Sequence, residues 1–376
     1  MDDFTPFLQI IHISDLHVKH PRSSNAASIR ASVRKLRKIL PKEILESIED
    51  GVAEHDQLAV NLFVQFVERI TKDPEWLNCK TWLIDTGDLT SLGDQISLNL
   101  GQEYLARFKK ICPDLFSIYG NHDAWPGTIP LLVSNAKLAA QSKTLASLKY
   151  SVGKPGLALQ TDIPHGGGKV QLFSLDSVKH DRWYNLRALG KVPDPQLKAL
   201  KALVDLNYDS KRHDFRILAV HHPVHFPPPR KSLWMSMSND SDVANFLNSR
   251  GSTGASPLAH LVLSGHTHSL FPSHGKLPLQ PSLCPHLDLG SDQCQFVVGS
   301  LMQYDKYQKR VGWPHQCELL RLYYSPSDQT VLLIERLLAA RQAGERNRGT
   351  GIGPYEFVRV NRYSNKTEEP ITFSLV

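Results

Sequence analysis

Five short apolar segments of this chain each end directly in a cluster of Asp, Asn and His residues. Each segment is rich in Ile, Leu, Val or Phe, which is typical of a buried β-strand. In chain order, the polar ends are SDLH from Ser14, GD from Gly87, GNHD from Gly120, HHP from His221 and GHTH from Gly265. Because ligands in α/β sheets collect beyond the carboxyl ends of strands, this arrangement predicts one shared functional site.

Apolar strands alternate with segments of helical periodicity, so the sequence predicts a two-layer or sandwiched α/β architecture. Residues 26–72 predict two or three helices, the last of which ends before Asp73, and residues 95–112 predict another helix. Asp194 and Pro195 have the residue types of a helix cap and a first helical position. Nearer the carboxyl end, the segments QFVVGS, CELLRLYYS and TVLLIERLL, with short polar turns between them, predict antiparallel strands that close the sheet.

The net charge of +6 at pH 7 comes from one segment, because residues 29–42 contain six basic side chains and no acidic one. Apolar residues recur at helical spacing in the same segment, which predicts an amphipathic helix with one basic face. Two interpretations remain open. The basic face is either solvated surface or a surface that attracts phosphates, in a substrate or in a nucleic-acid backbone.

Several classes of protein are disfavoured by the sequence. No apolar run approaches the roughly 18 residues that span a bilayer, and the acidic start MDDFTPF lacks the basic and apolar regions of a secretory signal. The five cysteines show no CxxC spacing and are odd in number, so a disulfide scaffold or a zinc–thiolate site is not expected. We therefore expect a cytoplasmic protein with reduced cysteines and no membrane partner.

The residue types at the five strand ends are those of a metal site. Asp, Asn and His supply oxygen and imidazole ligands without thiolate, which suits Mn²⁺, Fe or Zn²⁺. Glycines before three of these side chains are expected to let the backbone turn with no Cβ in the way. Seven candidate ligands are too many for one ion and suit two ions that share a carboxylate. They are Asp15, His17, Asp88, Asn121, His221, His266 and His268.

The motifs SDLH, TGDLT, YGNHD, HHPV and SGHTH, in this order, resemble those of the calcineurin-like metallophosphoesterase family. The resemblance implies an α/β fold in which helices flank a β-sandwich in four layers, α/β/β/α. It implies a catalytic domain over residues 1–300 with a basic helical insertion at about 20–72. Residues 301–376 show no family motif and are predicted to complete the sheet or to form a small appended region.

The same resemblance assigns roles to the site residues. It implies two metal ions, Mn²⁺ above Fe or Zn²⁺, and a hydroxide between them that attacks phosphorus. His122 is implied as the proton donor to the leaving group, and Asp123 as the residue that orients it. The implied ligands are Asp15, His17, Asp88 and His268 for one ion, and Asp88, Asn121, His221 and His266 for the other.

The substrate is the least constrained part of the prediction. Substrate contacts are predicted, beside purely structural alternatives, from His222, His225, Arg230, His180 and Arg182. The segments SLDS and LGKVPDPQLKALKAL resemble the nucleotide phosphodiesterase branch of the family, so a phosphodiesterase acting on nucleotides or cyclic nucleotides is predicted. The alternatives are a nuclease acting on DNA or RNA, which the basic helix favours, a phosphomonoesterase, and a non-catalytic adaptor with the same fold.

Overall fold

A computed structural model describes most of the chain. The described residues are 3–21, 23, 57–127, 135–148, 151–152, 155–178, 189–209, 213–224, 237–249, 251, 257–266, 293–301, 316–342, 355–359 and 371–374. The predicted basic helix at 29–42 lies outside them.

The described residues form thirteen strands and five α-helices. The strands are β1 (Thr5–Ile13), β2 (Lys80–Asp85), β3 (Asp114–Ile118), β4 (Ser151–Val152), β5 (Gly156–Asp162), β6 (Lys169–Ser174), β7 (Phe215–Ala219), β8 (Leu261–Ser264), β9 (Cys294–Val297), β10 (Gln316–Ser325), β11 (Thr330–Gln342), β12 (Tyr355–Arg359) and β13 (Ile371–Ser374). The helices are α1 (Gln57–Thr71), α2 (Gln95–Ile111), α3 (Asn135–Ala146), α4 (Asp194–Asn207) and α5 (Asp240–Leu247).

The strands form two mixed sheets. The larger has eight strands in the order β12-β11-β10-β1-β2-β3-β4, with β13 also pairing with β11, and the smaller has the order β5-β6-β7-β8-β9. Strand β1 pairs in parallel with β2 and antiparallel with β10. The antiparallel prediction is correct for β10 and β11 but wrong for β9, which runs parallel to β8 in the smaller sheet. The long connection between β8 and β9 is what permits this parallel crossover.

The two sheets pack face to face through alternate residues of their strands, as the pleat requires. Ile10 and Trp82 of the larger sheet and Ile217 and Leu263 of the smaller one belong to one buried cluster. The neighbouring residue Ile11 points the other way, into a second cluster. The apolar strands are therefore buried on both faces, which is why their sequences read as continuous apolar runs.

Helices cover the outer face of each sheet. Phe63 of α1 and Phe108 of α2 pack in the cluster outside the larger sheet, with their ring centroids 5.1 Å apart. Leu200 of α4 and Val243 of α5 pack in the cluster outside the smaller sheet. The predicted four-layer α/β/β/α arrangement is thus confirmed. Helix α4 begins at Asp194 with Pro193 as its cap, one residue earlier than predicted.

The described residues bear on two features that the sequence disfavours, a membrane-spanning helix and a disulfide scaffold. Among these residues, no helix combines the length and the apolar character needed to cross a membrane. The four cysteines within the described ranges form no disulfide bond: Cys79, Cys112, Cys294 and Cys317. Burial raises the pKa of the Cys112 thiol to about 12 and so keeps it protonated.

Candidate metal centre

The polar ends of the strands meet at one edge of the sandwich, where backbone hydrogen bonds hold the loops together. The loop after β1 is bonded to the loop after β2, because the amides of Asp15 and His17 donate to the carbonyls of Gly87 and Asp88 at 2.8 and 2.9 Å. The amide of His266 in the smaller sheet donates to Oδ2 of Asp15 at 2.9 Å. The site therefore spans both sheets.

Four of the predicted ligands adopt left-handed backbone conformations that non-glycine residues rarely use. The φ angles are 54° at Asp15, 49° at His17, 55° at Asp88 and 69° at His266. Each such conformation costs on the order of 1–3 kcal/mol, and they concentrate at functional sites where the surrounding structure enforces them. Here all four left-handed residues carry side chains that converge on one site.

The glycines that precede three ligands serve two different purposes. Gly87 has a φ of 106°, so it supplies a conformation that side chains disfavour, as predicted. Gly120 and Gly265 are instead required by space. A Cβ at Gly120 would lie 2.5 Å from Cγ of Asp88, and a Cβ at Gly265 would lie 2.7 Å from Oδ2 of Asp15. Both glycines let the backbone approach a candidate ligand closely.

The Nε2 atom of His221 points toward two oxygen atoms. Its Nδ1 lies 2.8 Å from the carbonyl oxygen of Thr86, which can only accept, so Nδ1 carries a proton. Its Nε2 lies 2.9 Å from Oδ1 of Asn121 and 3.3 Å from Oδ2 of Asp88. Although burial opposes it, the Asp88 carboxylate raises the pKa of His221 to about 9. Three electron-rich atoms that converge in a buried site need a proton or a cation between them, so this group fits a metal ion.

A second group lies on the other side of Asp88. Nε2 of His17 is 3.6 Å from Oδ1 of Asp15 and 3.9 Å from Oδ2 of Asp88. Burial and the nearby His122 lower the pKa of His17 to about 3, so its imidazole is neutral, as a metal ligand must be. Oδ2 of Asp88 thus faces one histidine of each group, which is the position a bridging carboxylate would occupy. Its Oδ1 accepts from the amide of His122 at 2.7 Å.

The structure brings together all the predicted ligands that it describes, namely Asp15, His17, Asp88, Asn121, His221 and His266. His268 lies outside the described residues, and so do four of the predicted substrate contacts, His180, Arg182, His225 and Arg230. The fifth, His222, lies beside the cluster with its ring centroid 4.2 Å from that of His266.

His122 is held by neighbours other than the one predicted. Its Nδ1 donates to the carbonyl of Ser91 at 2.9 Å, and its ring lies 4.2 Å from that of Trp125 between centroids. The Asp123 carboxylate accepts hydrogen bonds from the amide and hydroxyl of Thr90 and from two further amides. These bonds of Asp123 do not include the His122 ring, and its role in orienting His122 stays a prediction. The backbone donors engage both oxygens of the Asp123 carboxylate. Asp123 thereby holds Thr90, the residue before Ser91, whose carbonyl accepts from His122.

Several supporting residues were not found from the sequence. Thr86 and Ser91 contribute backbone carbonyls, which no side-chain motif reveals. The hydroxyl of Ser300 donates to the carbonyl of Asp15 at 2.6 Å, and that of Ser177 lies 2.8 Å from Nδ1 of His222. Thr86 and Ser177 had a sequence signal, since they belong to the TGDLT and SLDS segments.

The fold and the site together define a protein of the metallophosphoesterase type. A sequence model of the calcineurin-like phosphoesterases matches residues 8–270, and the chain belongs to that family. No curated protein sequence is significantly similar to it.

Two solved structures resemble the chain at a distance. Sulfate thiohydrolase SoxB of Thermus thermophilus, in complex with glycerol, is 13% identical with a TM-score of 0.40, over 89% of this chain and 57% of the SoxB chain. GAP50 of Plasmodium, the anchor in the inner membrane complex, is 11% identical with a TM-score of 0.37, over 96% of this chain and 91% of its own. The chain spans little more than half the length of SoxB. Similarity this distant carries no information about substrate or partner.

Proposed function

We propose that the protein is a phosphoesterase that depends on two metal ions. The observation that carries this proposal is the convergence of Nε2 of His221, Oδ1 of Asn121 and Oδ2 of Asp88, all buried, on a point that requires positive charge. The proposed ligands of the first ion are Asp15, His17, Asp88 and His268. Those of the second are Asp88, Asn121, His221 and His266.

The donor set supports Mn²⁺ as the metal, with Fe or Zn²⁺ as substitutes, because it contains carboxylate, amide and imidazole groups. When bound, two such ions supply positive charge for the phosphoryl oxygens and increase the acidity of a water molecule between them. Asp88 would fix their separation, since its Oδ2 faces both histidines.

His122 is the proposed proton donor to the leaving alkoxide. The Ser91 carbonyl engages Nδ1, so the remaining ring nitrogen, Nε2, is the atom that faces this task in the imidazolium form. The ring is only 7% exposed and packs on Trp125, which restricts its orientation. Such general-acid assistance contributes roughly 10²–10⁴-fold to a rate.

For the substrate we propose a nucleotide or cyclic-nucleotide phosphodiester. The support is the resemblance of the segments around Asp176 and Gln196 to the nucleotide phosphodiesterase branch. In the structure these two residues bond to each other, because the Gln196 amide group accepts from the backbone amide of Asp176 at 3.0 Å and donates to its carbonyl at 2.9 Å. They hold the loop that carries Ser177, whose hydroxyl contacts His222, a predicted substrate contact.

A nuclease is the second candidate. The observation that favours it is the run of six basic residues at 29–42, without an intervening acid, which would attract a phosphate backbone. The candidate differs from the first in substrate length rather than in the chemistry at phosphorus.

The experiment is a set of hydrolysis assays on metal-stripped protein with and without Mn²⁺. The substrates are bis-p-nitrophenyl phosphate, p-nitrophenyl phosphate, 3′,5′- and 2′,3′-cyclic nucleotides, and single- and double-stranded DNA and RNA. The test variant is Asp88→Asn, and the matched control is Asp114→Asn, a partly exposed carboxylate near Lys80 at the opposite end of the larger sheet.

We expect Mn²⁺-dependent turnover of diesters or cyclic nucleotides that is lost in Asp88→Asn and kept in Asp114→Asn. Cleavage of nucleic acid alone would favour the nuclease. Turnover of the monoester alone would make the protein a phosphomonoesterase. If the protein binds Mn²⁺ and hydrolyses none of these compounds, the proposed function is wrong for this range of substrates. A non-catalytic adaptor with the same fold then becomes the better hypothesis.

A further inference from the structure

We propose that His12 and Glu318 are positioning residues for the metal ligand His221, an inference that rests on the proposed function. Neither residue belongs to the motifs at the strand ends. Glu318 lies in β10, outside residues 8–270 that match the family. His12 lies on β1 directly across from it in the antiparallel register.

The two side chains begin a buried chain of hydrogen bonds that leads to the site. Nδ1 of His12 lies 2.7 Å from Oε2 of Glu318, and its Nε2 lies 3.1 Å from Oγ1 of Thr86. Thr86 is bonded to the backbone as well, because its amide and hydroxyl both donate to the carbonyl of Ile13. The carbonyl of the same threonine accepts from Nδ1 of His221 at 2.8 Å.

Fixing the Thr86 peptide fixes the orientation of the His221 ring. His221 can aim Nε2 at Asn121 and Asp88 only while Nδ1 donates to that carbonyl. Partners that hold the second nitrogen of a metal-binding histidine typically affect metal affinity or activity 10–100-fold. Here the partner is Thr86, which His12 contacts directly and Glu318 contacts only through His12. We therefore expect an effect on Mn²⁺ affinity of about tenfold, near the lower limit of that range.

Stability alone is a poor explanation for this pair. Both side chains have no solvent exposure, and the cost of removing a carboxylate and an imidazole from water offsets much of their mutual attraction. Apolar residues of similar volume would often stabilise the same position equally well. What apolar residues cannot do is hold the hydroxyl of Thr86, and this difference separates a positioning role from a structural one.

The test compares three forms of the full-length, metal-stripped protein with wild type. The double variant His12→Leu/Glu318→Leu replaces both residues with apolar ones. Neither member of the pair is therefore left buried without its partner. The variant Glu318→Gln keeps an oxygen that can accept from His12. The control is His260→Gln, a buried histidine just before β8 of the smaller sheet, where its Nδ1 accepts from the amide of Arg216.

The measurement is a calorimetric titration with Mn²⁺ alone, together with thermal unfolding without metal. We expect the double variant to unfold at a temperature close to that of wild type and to bind one of its two Mn²⁺ ions about tenfold more weakly. The single variant Glu318→Gln should keep that Mn²⁺ affinity within about threefold of wild type. His260→Gln should leave both Mn²⁺ affinities unchanged.

Two results would overturn the positioning role: unchanged Mn²⁺ affinities in a folded double variant, or an equal loss in the His260→Gln control. A double variant that does not fold leaves Glu318→Gln and a Thr86→Val variant to decide in the same titration. Weaker binding at one site in Thr86→Val supports the role, and unchanged binding opposes it. A wild type that binds two Mn²⁺ ions but hydrolyses no phosphoester would refute the proposed function, while the affinities still test the positioning.

Discussion

Replacement of Gly120 by alanine tests the idea that close backbone approach, rather than flexibility, shapes the metal centre. The new Cβ would lie 2.5 Å from Cγ of Asp88 and closer still to Oδ1 of the same carboxylate. That oxygen cannot simply rotate away, because the amide of His122 donates to it at 2.7 Å. Either the His122 bond breaks or the backbone moves, and in both cases the bridging carboxylate leaves its position.

The expected cost can be worked out from these contacts. Overpacking a well-filled site costs about 1–3 kcal/mol. Loss of a hydrogen bond to a charged carboxylate adds about 1.5–3 kcal/mol. Gly120→Ala should therefore lower the unfolding free energy of the metal-free protein by roughly 2.5–6 kcal/mol. The matched control is Gly166→Ala. Unlike Gly120, Gly166 has a positive φ, at 77°, and an added Cβ there meets nothing within 4 Å, so only about 1–2 kcal/mol of backbone strain is expected.

The assay is urea unfolding of both variants without metal, followed by Mn²⁺ titration of whichever remains folded. Gly120→Ala should lose more stability than the control and bind Mn²⁺ at least tenfold more weakly, because the proposed ligand to both ions is displaced. The reasoning fails if Gly120→Ala is as stable as Gly166→Ala and keeps wild-type Mn²⁺ affinity. Asp88 would then accommodate the methyl group without a change in metal binding.

Three further predictions concern neighbouring side chains. His122→Ala should keep Mn²⁺ affinity but lose roughly 10²–10⁴-fold in kcat, most for poor leaving groups, and full activity would remove His122 from the reaction. Asp123→Asn should destabilise the protein by about 1–3 kcal/mol in urea unfolding, because one oxygen that accepts from Thr90 or from other amides becomes a donor. Burial raises the pKa of Asp85 from 3.8 to about 8, so the folded state holds a proton there and the metal-free protein should lose stability as pH rises through this window. Asp85→Asn should reduce this slope by up to about 1.4 kcal/mol per pH unit, and an unchanged slope would contradict the assignment.

The sequence predicted the layers of the fold better than the direction of its strands. Continuous apolar runs and helical periodicity identify buried strands and covering helices, and both are local properties of the chain. Whether QFVV pairs parallel or antiparallel depends on where the long connection before it runs, which no local pattern records. Strand β5 and helix α5 were not predicted, and β5 lies at an edge of the smaller sheet, where its residues are only partly buried.

In the candidate site, side chains were more predictable than the groups that orient them. The convergence of Asp88, Asn121 and His221 was predicted because metal ligands have a restricted chemistry and here follow apolar strands. The carbonyls of Thr86 and Ser91 were not found, because every residue has a carbonyl and only the three-dimensional structure selects one. The same limit applies to the hydrogen-bond partners of Asp123. Its residue type fits a direct bond to His122, but the folded loop supplies backbone donors that engage both carboxylate oxygens instead.

The position of the site between two sheets makes its geometry depend on chain segments far from any motif. Asp15 and Asp88 come from the larger sheet, whereas His221 and His266 come from the smaller one. The two halves are joined by His266 donating to Asp15 and by His221 donating to Thr86. Strand β10 pairs with β1 over most of its length, and β1 ends just before Asp15. The carboxyl-terminal strands therefore help to fix the spacing of ligands they do not supply, so removing them should disturb the metal centre even though the family motifs would all remain.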